Sequence, residues 1–421
     1  GGPTMTWSTI KNHKNNKLII TSKKQYKEAG KQLEKEQFDK NIIKRFVAEA
    51  ASRTAKYRLA VANFLNSSLF LEGKLNTAEL PKLYTKEFEK IDYDFRYGEN
   101  PHQNISAGYR KINSQDCVSI FDAVMLNSGK TPSYNNIADM NAAVSMMLDF
   151  KGDERVDIIM KHGNPCGIGR GENAFNLACE TDQISRFGGI YITNKKLTEE
   201  DAENIGRKYL EVILAPGFEE EAVKVLIKKD ERRRIFDITK ILDEFKGNDF
   251  NINSVIGGVI IQNYNNKTLN QNEAKTETTE KTETTTERVK TKTTTKKQPT
   301  TKQMKTAEFA FRVVKHCNSN AIVLANEKQA IGLGVGQMSR VDSVKIAIMK
   351  AKQAGFDIRG SIMASDAFFP KADGPMEAID EGISGIIQPG GSKSDKEVIE
   401  LADNKEIFMI FTGMRHFKHS R

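Results

Sequence analysis

The feature that most restricts the fold of this chain is an alternation. Short β-rich runs at 156–160, 189–192, 212–214 and 255–261 are separated by segments of helical period at 137–150, 198–208 and 218–228. The pattern occupies about 93 to 261 and resumes from 307 to the end, with strand-like runs at 321–324, 361–364, 386–388 and 407–411 and a helical stretch at 344–351. Strands alternating with helices build α/β layers around mixed or parallel sheets. No short-period repeat is visible, so the pattern predicts two α/β lobes and not a solenoid.

Ahead of this region, 17–20 reads as a short strand and 24–37 and 41–66 read as helices. In the second helix Ile43, Phe46, Val47, Ala50, Ala55, Leu59, Ala62 and Leu65 recur at helical spacing and form one apolar, packing face. A polar connection follows at about 74–92. Between the two lobes, residues 276–301 hold 13 Thr in 26 positions, mixed with Lys and Glu. Such a stretch cannot fill a core, so 262–306 is expected to be a disordered insert. The opening Gly1-Gly2-Pro3 reads as a loop, as in a piece whose N-terminal part is missing.

Composition excludes some classes. No apolar run approaches the roughly 20 residues of a bilayer span, and no charged-then-apolar leader opens the chain. The cysteines Cys117, Cys166, Cys179 and Cys317 are too scattered for a disulfide framework, which points to a reducing cytosol. A net charge of +9 invites a nucleic-acid partner, but its distribution withdraws the invitation. Of 64 Lys+Arg and 55 Asp+Glu, residues 1–58 hold 14 and 5 and residues 262–306 hold 10 and 5, which leaves 40 and 45 for the rest. The basic stretch 290–302 also lacks the aromatics that stack on bases.

The chemistry-bearing residues collect where the alternation breaks: at 96–103, 161–167, 316–320, 332–340, 365–373 and 415–419. Lys161-His162 directly follows the apolar run 156–160, at the strand end where sites gather. A histidine there can move a proton near neutral pH, and its lysine neighbour can face a developing anion. Two tempting motifs fail. Gly332-Leu333-Gly334-Val335-Gly336 lacks the order of a dinucleotide fingerprint and the Gly-Lys-Ser/Thr of a P-loop. Pro165-Cys166 lacks the second cysteine and the His-x-Glu of a zinc deaminase, and no His/Cys set has zinc spacing, so no catalytic metal is expected. Gly390-Gly391-Ser392, ahead of a helical stretch at 394–403, reads equally as an anion site or a plain cap.

At these clusters the sequence closely resembles the bifunctional purine-biosynthesis family that joins an AICAR transformylase to an IMP cyclohydrolase. The matching phrases are RYGENPHQ (96–103), YNNIADMNAA (134–143), KHGNPCG (161–167), FGG (187–189), LAPGFEEEA (214–222), SNAIV (319–323), GQMSRVDS (336–343), SDAFFP (365–370) and RHFKH (415–419), in order over about 330 residues. The resemblance implies formyl transfer from 10-formyltetrahydrofolate to the amine of AICAR. It makes His162 the proton-transfer residue, Lys161 the partner of charge on the formyl oxygen and Asn320 the group that orients the formyl. It places Arg96, Tyr97, Asn136, Arg415 and Phe417 on the nucleotide side and Phe187, Arg340, Val341 and Asp373 on the folate side.

The resemblance further implies two cytidine-deaminase-like α/β lobes, a cytosolic homodimer with active sites at the subunit interface, and the structural potassium ion known from some members. Its domain plan is a cyclohydrolase remnant (1–85), transformylase lobes at 86–261 and 307–421, and the insert 262–306 between them. Lys11 matches a cyclohydrolase site residue, while the family's other cyclohydrolase residues would precede Gly1. The expectation is therefore that this chain does not close the ring to IMP, whereas a longer parent does. Trp7 replaces an expected Arg. Arg186 and Lys371 depart from the family pattern beside the folate side, where they would alter folate affinity and leave the proton chemistry intact.

Overall fold

The computed structural model describes residues 2–15, 18–35, 38–71, 87–112, 118–128, 130–247, 250–269 and 291–419. The chain forms two compact units, Gly1–Glu87 and Phe88–Arg421. The first is helical, with α1 (Gly2–Lys11), α2 (Tyr26–Leu33) and the long α3 (Lys40–Leu71). Ile43, Phe46 and Ala50 of the predicted apolar face are buried. Of the strand expected at 17–20, residue 17 lies outside the described residues, and 18–20 do not form one. Residues 18–20 carry no regular structure, and Ile19 is buried just ahead of the Ser22 capping box. Without a neighbouring strand, an apolar run of that length is only a buried link.

The second unit opens with a two-stranded sheet of β1 (Glu87–Asp94) and β2 (Ala107–Ile112) and then builds two six-stranded sheets. The first sheet comprises β3 (Val124–Met125), β4 (Val156–Lys161), β5 (Asn164–Arg170), β6 (Gly189–Thr193), β7 (Leu210–Ala215) and β8 (Arg234–Asp237), in spatial order β3-β8-β7-β6-β4-β5. Its helices are α4 (Tyr134–Met147), α5 (Ala174–Thr181), α6 (Glu199–Gly206) and α7 (Glu220–Lys229). After β8 come α8 (Thr239–Glu244) and a separate hairpin, β9 (Phe250–Val255) with β10 (Gly258–Asn263). The single strand expected at 255–261 is thus two strands reversed at Ile256-Gly257, where Gly257 takes a positive φ of 72°.

The second sheet repeats the first. It uses β11 (Lys292–Thr293), β12 (Ile322–Ala325), β13 (Ala330–Gly334), β14 (Ile362–Ser365), β15 (Gly385–Gln388) and β16 (Phe408–Phe411), in order β11-β16-β15-β14-β12-β13. Its helices are α9 (Thr301–Val314), α10 (Arg340–Gln353), α11 (Asp373–Asp380) and α12 (Asp395–Asn404). In each sheet three parallel strands are flanked by antiparallel ones in the same places. Part of the region expected to be a disordered insert is therefore built: β11 and the start of α9 fall within 262–306, and residues 270–290 lie outside the described residues. Thr300, one of the threonines that suggested disorder, instead caps α9, accepting from Gln303 N.

Strand alternation divides the core. Ile190, Ile192, Ile362, Ala364, Ile387 and Ile410 belong to one cluster shared by both sheets, together with residues of α4 and α9. Their sequence neighbours face outward: Tyr191 joins α5, α6 and α7, and Met363, Ile386 and Met409 join α10, α11 and α12. Sheets covered on both faces read as continuous apolar runs, which is how the sequence reads here. Glycines set the closest approach. A Cβ on Gly167 of β5 would overlap Ala178 O of α5, and one on Gly332 of β13 would overlap Ala347 O of α10.

Candidate active site

The β4–β5 hairpin turns in two residues. Lys161 pairs with Asn164, leaving His162 (φ 52°) and Gly163 (φ 73°) as the turn. Two-residue hairpins that match the strand twist take positive φ at both central positions. Glycine does so freely, whereas a side chain costs roughly 1–2 kcal/mol. The turn is held by bonds that offset this cost. On α4, Asp139 Oδ2 accepts from His162 N at 3.2 Å and Oδ1 accepts from Gly163 N at 2.8 Å. From the second half of the unit, Lys418 Nζ donates to Gly163 O at 3.1 Å and to His316 O at 2.8 Å. Asn318 N donates to Asn164 Oδ1 at 2.9 Å. The backbone is pinned from both halves while the His162 side chain stays exposed.

Asn320 lies just before β12, after a cis Ser319–Asn320 peptide. Its Nδ2 donates to Gln337 O (2.9 Å) and Met338 O (3.0 Å), and its Oδ1 accepts from Arg340 at 2.7 Å. Arg340 opens α10 and is 8% exposed. It donates to Ser365 Oγ at 2.9 Å and pairs with the fully buried Asp366, which also accepts from Ser319 Oγ. Arg340, expected against the folate, thus ties Asn320 to Ser365 and Asp366. Val341 follows it, half-buried.

A cleft of about 460 Å³ opens between the halves. Lys161, His162 and Asp182 line one side and Leu333, Val335 and Lys350 the other. Lys161 Nζ donates to Phe187 O at 2.7 Å, and the Phe187 ring, 62% exposed, rests on Tyr209. Asp182 meets Lys350 at 2.9 Å. Burial opposes its charge, but bonds from Ser185 and Lys350 hold its carboxyl below the usual range. Cys166 also lines the cleft, yet burial pushes its thiol up to about 12. It is therefore a poor nucleophile at neutral pH.

Behind the site Asp149 accepts from His316 Nε2 at 2.6 Å and pairs with Lys315 at 2.8 Å. Burial works against Asp149, but His316 and Lys315 bring its carboxyl below the usual range. Burial likewise lowers His316, against the pull of Asp149. His416, 2% exposed, is lowered to about 3, first by burial and then by Lys315 and His316.

The remaining expected residues fall in three places. Arg415 sits over the Phe417 ring at 4.5 Å, with Arg340 at 6.0 Å, so the C-terminal segment joins the Asn320 network. Arg96 and Tyr97 lie in a loop against the start of α4, where Phe95 meets Tyr134 edge-on and Asn135 donates to Glu99 O at 3.2 Å. Asn136 begins that helix, and its Oδ1 accepts from Ser133 N at 3.0 Å in a capping box. Asp373 is exposed at the start of α11, with a bond to Gly374 N. Lys11 belongs to the other compact unit, with Nζ 5.8 Å from the Trp7 ring centroid. Arg186 is half-buried and Lys371 exposed. Sequence reasoning missed Asp139, Lys418 and Asp366, although each stands inside a quoted phrase. Asp139 lies three residues beyond Asn136, one helical turn on, which was the available signal.

The profile of the AICARFT/IMPCHase bienzyme matches residues 9–350. The bifunctional purine biosynthesis protein PurH of Chlorobaculum parvum is 36% identical over 428 residues, spanning 100% of this chain and 75% of the relative. Proteins of the same description from Halalkalibacterium halodurans and Bacillus cytotoxicus are 38% and 39% identical, each spanning 100% of this chain and 76% of the relative. Among the described residues, no helix is long and apolar enough to cross a membrane.

Proposed function

The chain belongs to the AICARFT/IMPCHase bienzyme family of purine-biosynthesis enzymes, and from that premise we propose that it moves the formyl group of 10-formyltetrahydrofolate to the 5-amino group of AICAR. The observation that carries this reading is the pinned Lys161–Asn164 turn, with an exposed His162 at the mouth of an inter-half cleft. The AICAR amine is a weak nucleophile, because its lone pair is conjugated into the ring and carboxamide. It must lose a proton as its nitrogen bonds the formyl carbon, and the folate nitrogen must gain one as its bond to that carbon breaks. His162 takes the first proton and returns it to the leaving nitrogen. Lys161 Nζ, with one bond to Phe187 O, faces the charge that develops on the formyl oxygen.

The role of Asn320 is sharpened by its partners. Both amide hydrogens are spent on carbonyls, and one Oδ1 lone pair is taken by Arg340. The group left to act is the second lone pair, which suits an N–H of the amine better than the formyl oxygen. Arg96 and Arg415 suit the nucleotide phosphate, since a guanidinium binds two oxygens at once. The enzyme works as a homodimer in this reading. The exposed apolar residues of the β9–β10 hairpin, Val255, Ile256 and Val259, are in keeping with a partner, and sedimentation of the purified chain tests it.

The activity test is tetrahydrofolate production that requires both AICAR and 10-formyltetrahydrofolate, followed in parallel for IMP so that ring closure is read separately. Binding of both ligands without turnover would refute the transferase reading.

A further inference from the structure

We propose that Asp139 is a positioning residue for formyl transfer: its carboxylate sets the backbone turn that aims His162. The proposal rests on the role given to His162 above. Asp139 stands on α4, a helix anchored by buried Met140, Ala143, Val144 and Met147. Its two oxygens accept from the consecutive N–H groups of His162 and Gly163 at 3.2 and 2.8 Å. Bonds from N–H groups to a carboxylate are about twice as strong as neutral ones. They act on the residue whose positive φ would otherwise relax.

The second half of the unit shows what the turn would otherwise need. Between β12 and β13 the acceptor comes from inside the turn, where Asn326 Oδ1 accepts from Lys328 N and Gln329 N, each at 2.9 Å. In the β4–β5 turn the acceptor is imported from a helix. Neither turn position has to supply an acceptor, so the first can carry His162, directly after Lys161 at the end of β4. Asp139 is one helical turn from the loop-facing start of α4, so the helix that packs the loop of Arg96 and Tyr97 also fixes the histidine.

The test is steady-state formyl transfer by the full chain as wild type, Asp139→Asn, Asp139→Glu, His162→Ala and Asp139→Asn/His162→Ala. Asparagine keeps the size but turns an N–H donor toward one of the two amides. Its kcat is expected to fall ~10–100-fold, in line with a displaced reacting group, with KM for both substrates changed less than about threefold. Glutamate keeps both acceptors and should retain more turnover than asparagine. The double variant should match His162→Ala alone, because a residue that acts only through His162 has nothing to lose once it is gone. Wild-type kcat in Asp139→Asn, equal loss in the asparagine and glutamate variants, or losses that multiply in the double variant would each overturn the proposal.

A second readout needs no activity. In ligand-free, ¹⁵N-labelled protein the amide signals of His162 and Gly163 should both shift in Asp139→Asn, while that of Lys328 stays. Unmoved His162 and Gly163 signals overturn the proposal. A wild type that turns over no substrate defeats the functional reading, and these signals then decide the setting of the turn by themselves.

Discussion

The β4–β5 and β12–β13 hairpins hold equivalent places in two sheets of the same strand order, yet they close in opposite ways. The second takes the acceptor for its turn amides from within, through Asn326, while Gln329 tucks inward and Arg170 of the first half donates to the carbonyls of Glu327 and Lys328. The first closes on its surroundings, through Asp139 from one helix and Lys418 and Asn318 from the other half. A turn that supplies its own amide acceptor is chemically silent. A turn held by outside groups can present a side chain in a geometry it would not choose alone, provided both halves stay in place.

The contrast can be broken most forcefully at the turns themselves. His162→Ala is expected to lower kcat by roughly 100-fold or more for a lost proton-transfer group. Glu327→Ala, an exposed residue of the silent turn, should leave kcat unchanged in the same assay. Comparable losses in the two variants would erase the distinction. Next comes Arg340→Met, which leaves the fully buried Asp366 unpaired. Breaking a buried pair from one side costs about 3–5 kcal/mol, to be read from urea unfolding. A cost near zero would mean that Arg340 is not the clamp of Asn320.

Where the halves are alike, equal effects are expected. Gly167→Ala and Gly332→Ala each force a helix away from an edge strand, at about 1–3 kcal/mol apiece. A cost confined to one of them would show that the repeat in strand order does not extend to packing. The smallest effect concerns acid. His316 and His416 are lowered in the folded protein, His416 to about 3. Both bind fewer protons folded than unfolded, so the stability they contribute is full above about pH 6.5 and declines as pH falls toward 3. The depressed Asp149 adds a loss at the lower end of the window. His416→Phe should flatten the fall of the unfolding midpoint between pH 7 and 4, and an unchanged slope would remove His416 from the account.

Much of this was legible in the residues. Runs such as 189–192 and 386–388 read as strands because helices cover both faces, and the structure has them as β6 and β15. Lys161-His162 was legible as a strand-end pair. The partner strands β5 and β13 were not, because Asn164-Pro165-Cys166-Gly167 and Gly332-Leu333-Gly334 carry the glycines and proline that usually signal loops. Those glycines serve helix packing, a tertiary demand without local periodicity. Resemblance led to Arg340 and Asn136 as ligand contacts, and it gave no sign that they also bond Asn320 and Asp366 and the α4 cap. Which partner a polar side chain selects depends on residues far away in sequence, as Asp139 does for a turn more than 20 positions on.

The strand order has one more consequence, for what this protein does in a crowded solution. The outer edges of the sheets, β3 and β11, are two residues long. The opposite edges, β5 and β13, turn toward each other and join through a Gly169–Gln329 bridge and a bond from Arg170 N to Lys328 O at 2.8 Å. A long row of unpaired N–H and C=O groups is a template on which a strand from another molecule can grow. In the described residues of these two sheets that template is cut short at the outer edges and blocked at one end of the inner ones by the molecule's other half. The duplication that doubles the fold thus also narrows the edge that either sheet offers to a foreign strand.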